Sequence, residues 1–210
     1  MPAVNPPAWN VTHAVAEASV ANLALARIGA DLIKATEDDT PSARQSRAIF
    51  AATRDELLRD YEFNFAQRYA MLSAADGYTG PKGHWEYAYE IPADLLVLKV
   101  LEVGANKDNL FEVIGSDTTR VLLCNIATTA TPTLAVKYVE SVVDPAQWDS
   151  LFSDAFALRL ASKMALPLVK RADLAQFLQG EFAAIFNLAK VASSKERQVD
   201  EAETQWTNRS

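Results

Sequence analysis

The chain has a single cysteine, Cys124, so no internal disulfide can form. It sits in the apolar run "RVLLCNI", where a thiol behaves as a small buried hydrophobe. Two histidines, His13 and His84, have no acidic or cysteine partner at ligand spacing, which leaves a zinc or iron site without a local signature. Only 7 glycines and 9 prolines occur among 210 residues, too few for a collagen-like repeat or a low-complexity linker. No apolar run approaches the roughly 18 to 20 residues that cross a bilayer. The opening "MPAVNPPAWN" lacks the basic patch and apolar core of a secretory signal, so the expectation is a protein made and kept in the cytosol. Basic residues are also short, 20 against 27 acidic for a net charge of -7, and a general nucleic-acid binder needs the opposite surplus to neutralise phosphates.

What is present is a chain of 50% hydrophobic residues, enough to bury a core. The segment "NVTHAVAEASVANLALARIGA" is helical by composition, with Asn10 or Thr12 as cap and Gly29 placed to end it. Its apolar residues do not keep to one stripe, so the helix must be covered on several sides, by its own domain or by a neighbouring subunit. Small residues such as Ala21 and Ala24 let backbones approach closely and mark the candidate subunit contact. After the acidic turn "TEDDTP", Thr40 can cap a second helix with Pro41 at its first position, running to about Tyr61. Phe50, Thr53, Leu57 and Tyr61 face inward at helical spacing. Arg44, Arg47 and Arg54 fall within roughly 80° of one another, a face expected to pair with acids of its own or an adjacent subunit, and so placed with the subunit interface, rather than to grip DNA phosphates.

From Phe63 the hydrophobic period changes from helical to alternating. Candidate strands are "FNFAQRYA", "HWEYAYEI", "LLVLKVLEV", "LFEVIG", "RVLLCN" and "TLAVKYVE", separated by turn clusters and by no helix, which predicts an antiparallel block. In "HWEYAYEI" the rings of Trp85, Tyr87 and Tyr89 and the chain of Ile91 share one face, read as a face gluing helices to the sheet. At "DPAQWDSLF", Asp144 as cap, Pro145 and Gln147 announce a third helix that Pro167 should end or kink near Leu166. A fourth runs from about Lys170 to Ser194. The predicted fold is α+β: a bundle of about four helices, two before and two after an inserted antiparallel β-sheet domain. The divisions are residues 1–62, 63–143 and 144–195, followed by an extended tail over 196–210.

No nucleophile elbow, phosphate loop or dinucleotide fingerprint is present. Paired carboxylates are the one chemistry that needs no local motif, and Glu37, Asp38, Asp39, Glu86, Glu90 and Asp94 are the candidates for a glycan-cleaving pair. Glu37 to Asp39 read instead as charge at a helix entry, and Glu86 and Glu90 as the wet face of a strand.

Taken in order, "ANLALARIGA", "RDELLRDYEFNFAQRYAML", "WEYAYEIPADLL" and "DPAQWDSLFSDAFALRLASKMA" resemble the tail tubular protein A family, the head-to-tail adaptors of short-tailed bacteriophages. The likeness runs from about Ala21 to the C-terminus. It departs at Asn64, where a Trp is common before the Phe-Ala pair. The resemblance implies a structural virion protein, assembled in the host cytoplasm and located in the tail as a twelve-fold ring below the portal protein. A tail nozzle protein of the tail tubular protein B type would build on it, with tail fibres as a further partner. Genome DNA would pass through without specific binding, and no cofactor, metal, membrane or catalytic residue is implied. A similar ending in the family, a Trp followed three residues later by an Arg, suggests that Trp206 and Arg209 form a peg for the portal or a neighbouring subunit. The rival readings are a tail-associated enzyme degrading glycans with paired carboxylates, and a bacterial scaffold domain unrelated to phage.

Overall fold

The computed structural model describes residues 8–80, 82–92, 95–104, 109–115, 120–127 and 133–207, with side chains described between residues 15 and 196 of these ranges. Among the described residues, four α-helices and six antiparallel strands make an α+β fold. The chain divides into two compact units: a helical one built from residues 1–65 and 142–210, and a β unit of residues 66–141 inserted between them.

The helical unit contains α1 (Ala8–Ile28), α2 (Pro41–Asp60), α3 (Ser150–Val169) and α4 (Ala172–Thr207). Gly29 stops α1 with φ +68°, a conformation that costs a residue without Cβ little. Thr40 caps α2 by accepting from the Ala43 N–H, with Pro41 behind it. Asn22 ties the connecting segment back to α1, donating to the Ile33 carbonyl at 2.8 Å and accepting from the Ile33 N–H at 2.9 Å. The central element is α3, packed against α1, α2 and α4. Its Phe152, Phe156, Leu160 and Ala161 are fully buried. Around Phe152 lie Phe63 and Phe65, each at 5.0 Å between ring centroids, and Trp148 at 5.2 Å, all edge-on. The Trp148 indole N–H is satisfied by the Val142 carbonyl at 2.9 Å.

Three expectations about helix ends are corrected. Asp144 caps only a short 3-10 turn, Pro145–Gln147; the α-helix starts at Ser150 under a second cap, Asp149, whose carboxylate accepts from the Leu151 and Phe152 N–H groups. Pro167 does not end α3, which continues to Val169 and closes on Lys170 in the left-handed region. The region over 196–210, expected as an extended tail, is helical as far as Thr207, because "KERQVDEAETQWT" contains no glycine or proline and is rich in strong helix formers. Polarity marked the end of the buried face, which is a different boundary from the end of the helix.

In the β unit the strands are β1 (Gln67–Ser73), β2 (Tyr87–Ile91), β3 (Val97–Val103), β4 (Phe111–Gly115), β5 (Arg120–Cys124) and β6 (Thr133–Glu140). They form two sheets, in the orders β1-β6-β3 and β2-β5-β4, linked by a bridge between Ala74 and Tyr89. Leu72, Tyr89, Ile91, Leu122, Leu134 and Tyr138 belong to the core that the sheets share. The aromatic strand therefore packs into its own unit: Tyr89 and Ile91 are buried there, and the Tyr89 hydroxyl donates to the Ile126 carbonyl at 2.7 Å. The single-face reading fails at its start, since Trp85 precedes β2 and packs with Ala88 in a smaller cluster on the other side. Tyr87 is exposed.

Candidate functional site

Among the described residues of the helical unit, two helix faces leave apolar side chains exposed. On α1 Val15, Ser19, Leu23 and Ala26 are exposed and at about 100° per residue fall within roughly 80° of arc, with exposed Arg27 to one side of them. Val15 and Leu23 are 65% and 50% exposed, on the side away from Ala18, Ala21, Ala24 and Leu25, which are buried. On α4 the core side is Leu178, Phe182, Phe186 and Ala189. Beside it runs a second stripe, Phe177, Gly180, Ala184, Leu188 and Val191, also exposed, with Phe177 63% and Leu188 55% open to solvent. Isolated exposed apolar residues need no explanation, but stripes at helical spacing on two different helices are surfaces that a second helix fits.

Ala21 and Ala24, predicted as subunit contacts, lie at 0% exposure within the single subunit, on the helix that packs against α3. Their small size serves internal packing. Buried there, neither side chain is open to a neighbouring subunit, so the expected contact through Ala21 and Ala24 is corrected.

The three arginines of α2 do not form one solvated row. Arg44 pairs with Asp39, Arg47 donates to the Thr36 carbonyl at 2.9 Å, and Arg54 is buried and paired with Asp55 at 2.9 Å. An arc of about 80° is wide enough to run from solvent into the core. All three find partners within their own subunit.

Trp206 lies on the last turn of α4, but its side chain, and all of Arg209, are outside the described residues; so are the side chain of His13 and Asp94.

Three of the candidate carboxylates, Glu37, Asp38 and Asp39, are engaged locally, Asp39 by Arg44. Asp38 accepts from the Lys34 and Ala35 N–H groups, which hold its carboxyl below the usual range, and Glu37 accepts from the Thr36 hydroxyl. Glu86 and Glu90 are exposed on the β unit. Cys124 is buried, and desolvation pushes its thiol up, away from reactivity. Among the described residues there is no group of three or more His, Cys, Asp or Glu side chains placed to hold a metal ion, and no helix long and apolar enough to cross a membrane.

A groove of about 530 Å³ runs beside α2, α3 and α4, floored by Phe182 and Phe186. Arg159 lies over the Phe182 ring at 5.4 Å and Lys190 over Phe186 at 4.3 Å. Glu56 joins α2 to α3 by accepting from Arg159 and Lys163. Burial pushes the Glu56 carboxyl up, but hydrogen bonds and charge from Lys163 and Arg159 outweigh it and hold the group below its ordinary value. A depressed carboxylate contributes stability above its unfolded pKa, about 4.3, and that contribution is lost as pH falls through the lower folded value. Because the Glu56 side chain is 41% exposed, solvent screening limits the effect to about 1 kcal/mol or less. Glu56→Gln should therefore unfold at slightly lower denaturant than the parent at pH 7, and the two midpoints should converge near pH 3; a gap that widens on acidification would contradict this sign.

No protein-family model matches the chain, and no curated protein matches it. The signal that locates the α4 stripe was present in the sequence: Phe177, Ala184 and Val191 repeat every seven residues, beside the core stripe of Leu174, Leu178 and Phe182.

Proposed function

We propose that the chain is a structural adaptor that assembles with copies of itself into a ring, as the head-to-tail connector between portal protein and tail nozzle of a short-tailed phage. The observation that carries this reading is the pair of uncovered apolar faces on α1 and α4 of one helical unit. A subunit with two different sticky faces joins head to tail, and head-to-tail contacts close into rings when the rotation between subunits divides a full turn. The resemblance supplies the virion setting and the portal partner. The net charge of -7 is consistent with a ring through which DNA moves, since few phosphate contacts would hold it back. Neither catalysis nor a cofactor has a place in this role. The peg belongs to the same proposal: α4 is helical to Thr207, so Trp206 falls on the last turn of a helix of about 54 Å.

The test is electron microscopy of the full chain alone and mixed with the portal protein encoded in the same genome, beside a glycan-release assay. Rings seated on the portal are the expected result, and removal of residues 204–210 should weaken docking sharply while leaving the melting transition of the folded chain unchanged. A monomer that ignores the portal and releases sugar from cell-envelope polysaccharide would replace the adaptor with the enzyme reading. Truncated chains that dock as well as the parent would remove the peg alone.

A further inference from the structure

From a second recess in the helical unit, separate from the exposed stripes, we infer a receptor for the guanidinium end of an arginine side chain carried by a partner protein. The recess has a volume of about 190 Å³ and lies where the segment before β1, the Asp149 cap of α3 and the stretch of α4 around Ser193 meet. Pockets that hold whole small molecules run from roughly 300 to 1,000 Å³, so this one takes a side-chain end. Its walls include the rings of Phe63, Phe65 and Trp148, and its polar lining includes the carboxylates of Asp149 and Glu196 and the amide of Gln147. Phe63 and Trp148 are buried whereas Asp149 and Glu196 are exposed, which sets rings at depth and negative charge at the mouth. Among the described residues no cation lines the recess.

Both carboxylates are held in place by their own subunit and left half used. Asp149 accepts from the Leu151 N–H at 2.8 Å and the Phe152 N–H at 3.4 Å, both through Oδ1. Glu196 accepts from the Asn64 side-chain amide at 3.3 Å through Oε2, and the same amide donates to the Ser193 carbonyl at 2.7 Å. The Asn64 N–H donates to the Ser193 hydroxyl at 3.1 Å, which ties this turn of α4 to the segment carrying Phe63 and Phe65. Oδ2 of Asp149 and Oε1 of Glu196 have no partner among the described residues. Carboxylate oxygens only accept, and aromatic rings attract cations through their negative faces, so both parts of the lining favour positive charge. An anion would meet two carboxylates, while N–H groups at the start of α3 are already taken by Asp149. Between the two cationic side chains, guanidinium is the better match: it is flat, stacks on rings and carries several N–H donors in one plane, able to serve acceptors from two elements at once. An ammonium is compact and strongly hydrated. Free arginine would bring another carboxylate to the mouth, so the occupant is a residue within a polypeptide.

The probe is N-acetylarginine amide, which keeps the guanidinium and removes both backbone charges, titrated onto the full chain and followed by saturation-transfer NMR. Saturable binding in the millimolar range is expected. N-acetylcitrulline amide, nearly the same shape without the charge, should bind at least about tenfold more weakly, and N-acetyllysine amide should also bind more weakly. In the double variant Asp149→Asn with Glu196→Gln the recess keeps its shape, and asparagine still caps α3. That variant should melt close to the parent and lose at least about tenfold in affinity for the arginine probe. Glu196→Gln alone changes an exposed side chain and should still weaken binding several-fold, which keeps the test open if the double variant melts early. Absence of saturable binding, equal binding of the citrulline or lysine probe, or undiminished binding by Glu196→Gln overturns the receptor. Tighter binding of free arginine than of the blocked probe would make the occupant a metabolite and overturn the assignment to a partner protein. None of these outcomes depends on ring formation, so the adaptor reading stands or falls separately.

Discussion

Phe152→Ala is expected to lower the stability of the helical unit by about 3 to 5 kcal/mol, a large part of the 5 to 15 kcal/mol that holds a typical domain together. Phe152 has no solvent exposure and its ring meets Phe63, Phe65 and Trp148 from three sides, so neighbours that are themselves anchored cannot collapse into the space it leaves. Chemical denaturation followed by tryptophan emission reads the loss as a shift in midpoint with an unchanged slope. The control is the same substitution at Phe177, which is 63% exposed on α4 and in the isolated subunit should cost about 0.5 kcal/mol or less. Equal losses at the two positions would mean that Phe152 is not the centre of the helical core.

Ala24→Glu is expected to abolish soluble folded protein. Ala24 lies at 0% exposure on α1, the helix that packs against α3. A carboxylate there must either remain charged without a partner or take up a proton, and in either case its bulk has no room. The neighbouring Leu23→Glu, half exposed one step along the same helix, should fold with a melting temperature close to that of the parent and lose only self-assembly. Soluble, normally melting Ala24→Glu would show that α1 does not seat on α3 through this face. The adjacent pair also separates the two jobs of one helix. Ala21 and Ala24 are buried in the bundle, and Val15, Ser19, Leu23 and Ala26 are exposed.

This division between adjacent residues shows where sequence reading ends. Thr40 with Pro41 fixed the start of α2, and Gly29 the end of α1, because capping and left-handed geometry depend on residues within one turn. All six strands were legible in outline, since alternation with turn clusters and no intervening helix leaves antiparallel pairing as the simple solution. The first strand began later than expected because Phe63 and Phe65 are claimed by the helical core, a competition that local pattern does not register. Similarly, Trp85 alternates with Tyr87 and Tyr89 on paper and yet precedes the strand and packs with Ala88.

The candidate site was less legible than the fold. An all-round apolar helix states that it must be covered on several sides, but which side the subunit covers itself depends on where α3 lies. That is a long-range contact between residues far apart in the chain. The arginines of α2 make the same point: their common arc was correct, and the packing carried Arg54 into the core while Arg44 and Arg47 stayed outside. By itself the sequence determined the kinds of element, their order and those ends that carry a local cap or stop, such as Gly29 and Thr40, because these follow from backbone sterics and spacing within a few residues. Only the tertiary structure decided which apolar stripe is core and which is left open, because burial is settled by what else is packed nearby, and helices apolar on more than one face offer the same hydrophobic gain to a neighbour in the chain or a neighbour in an assembly.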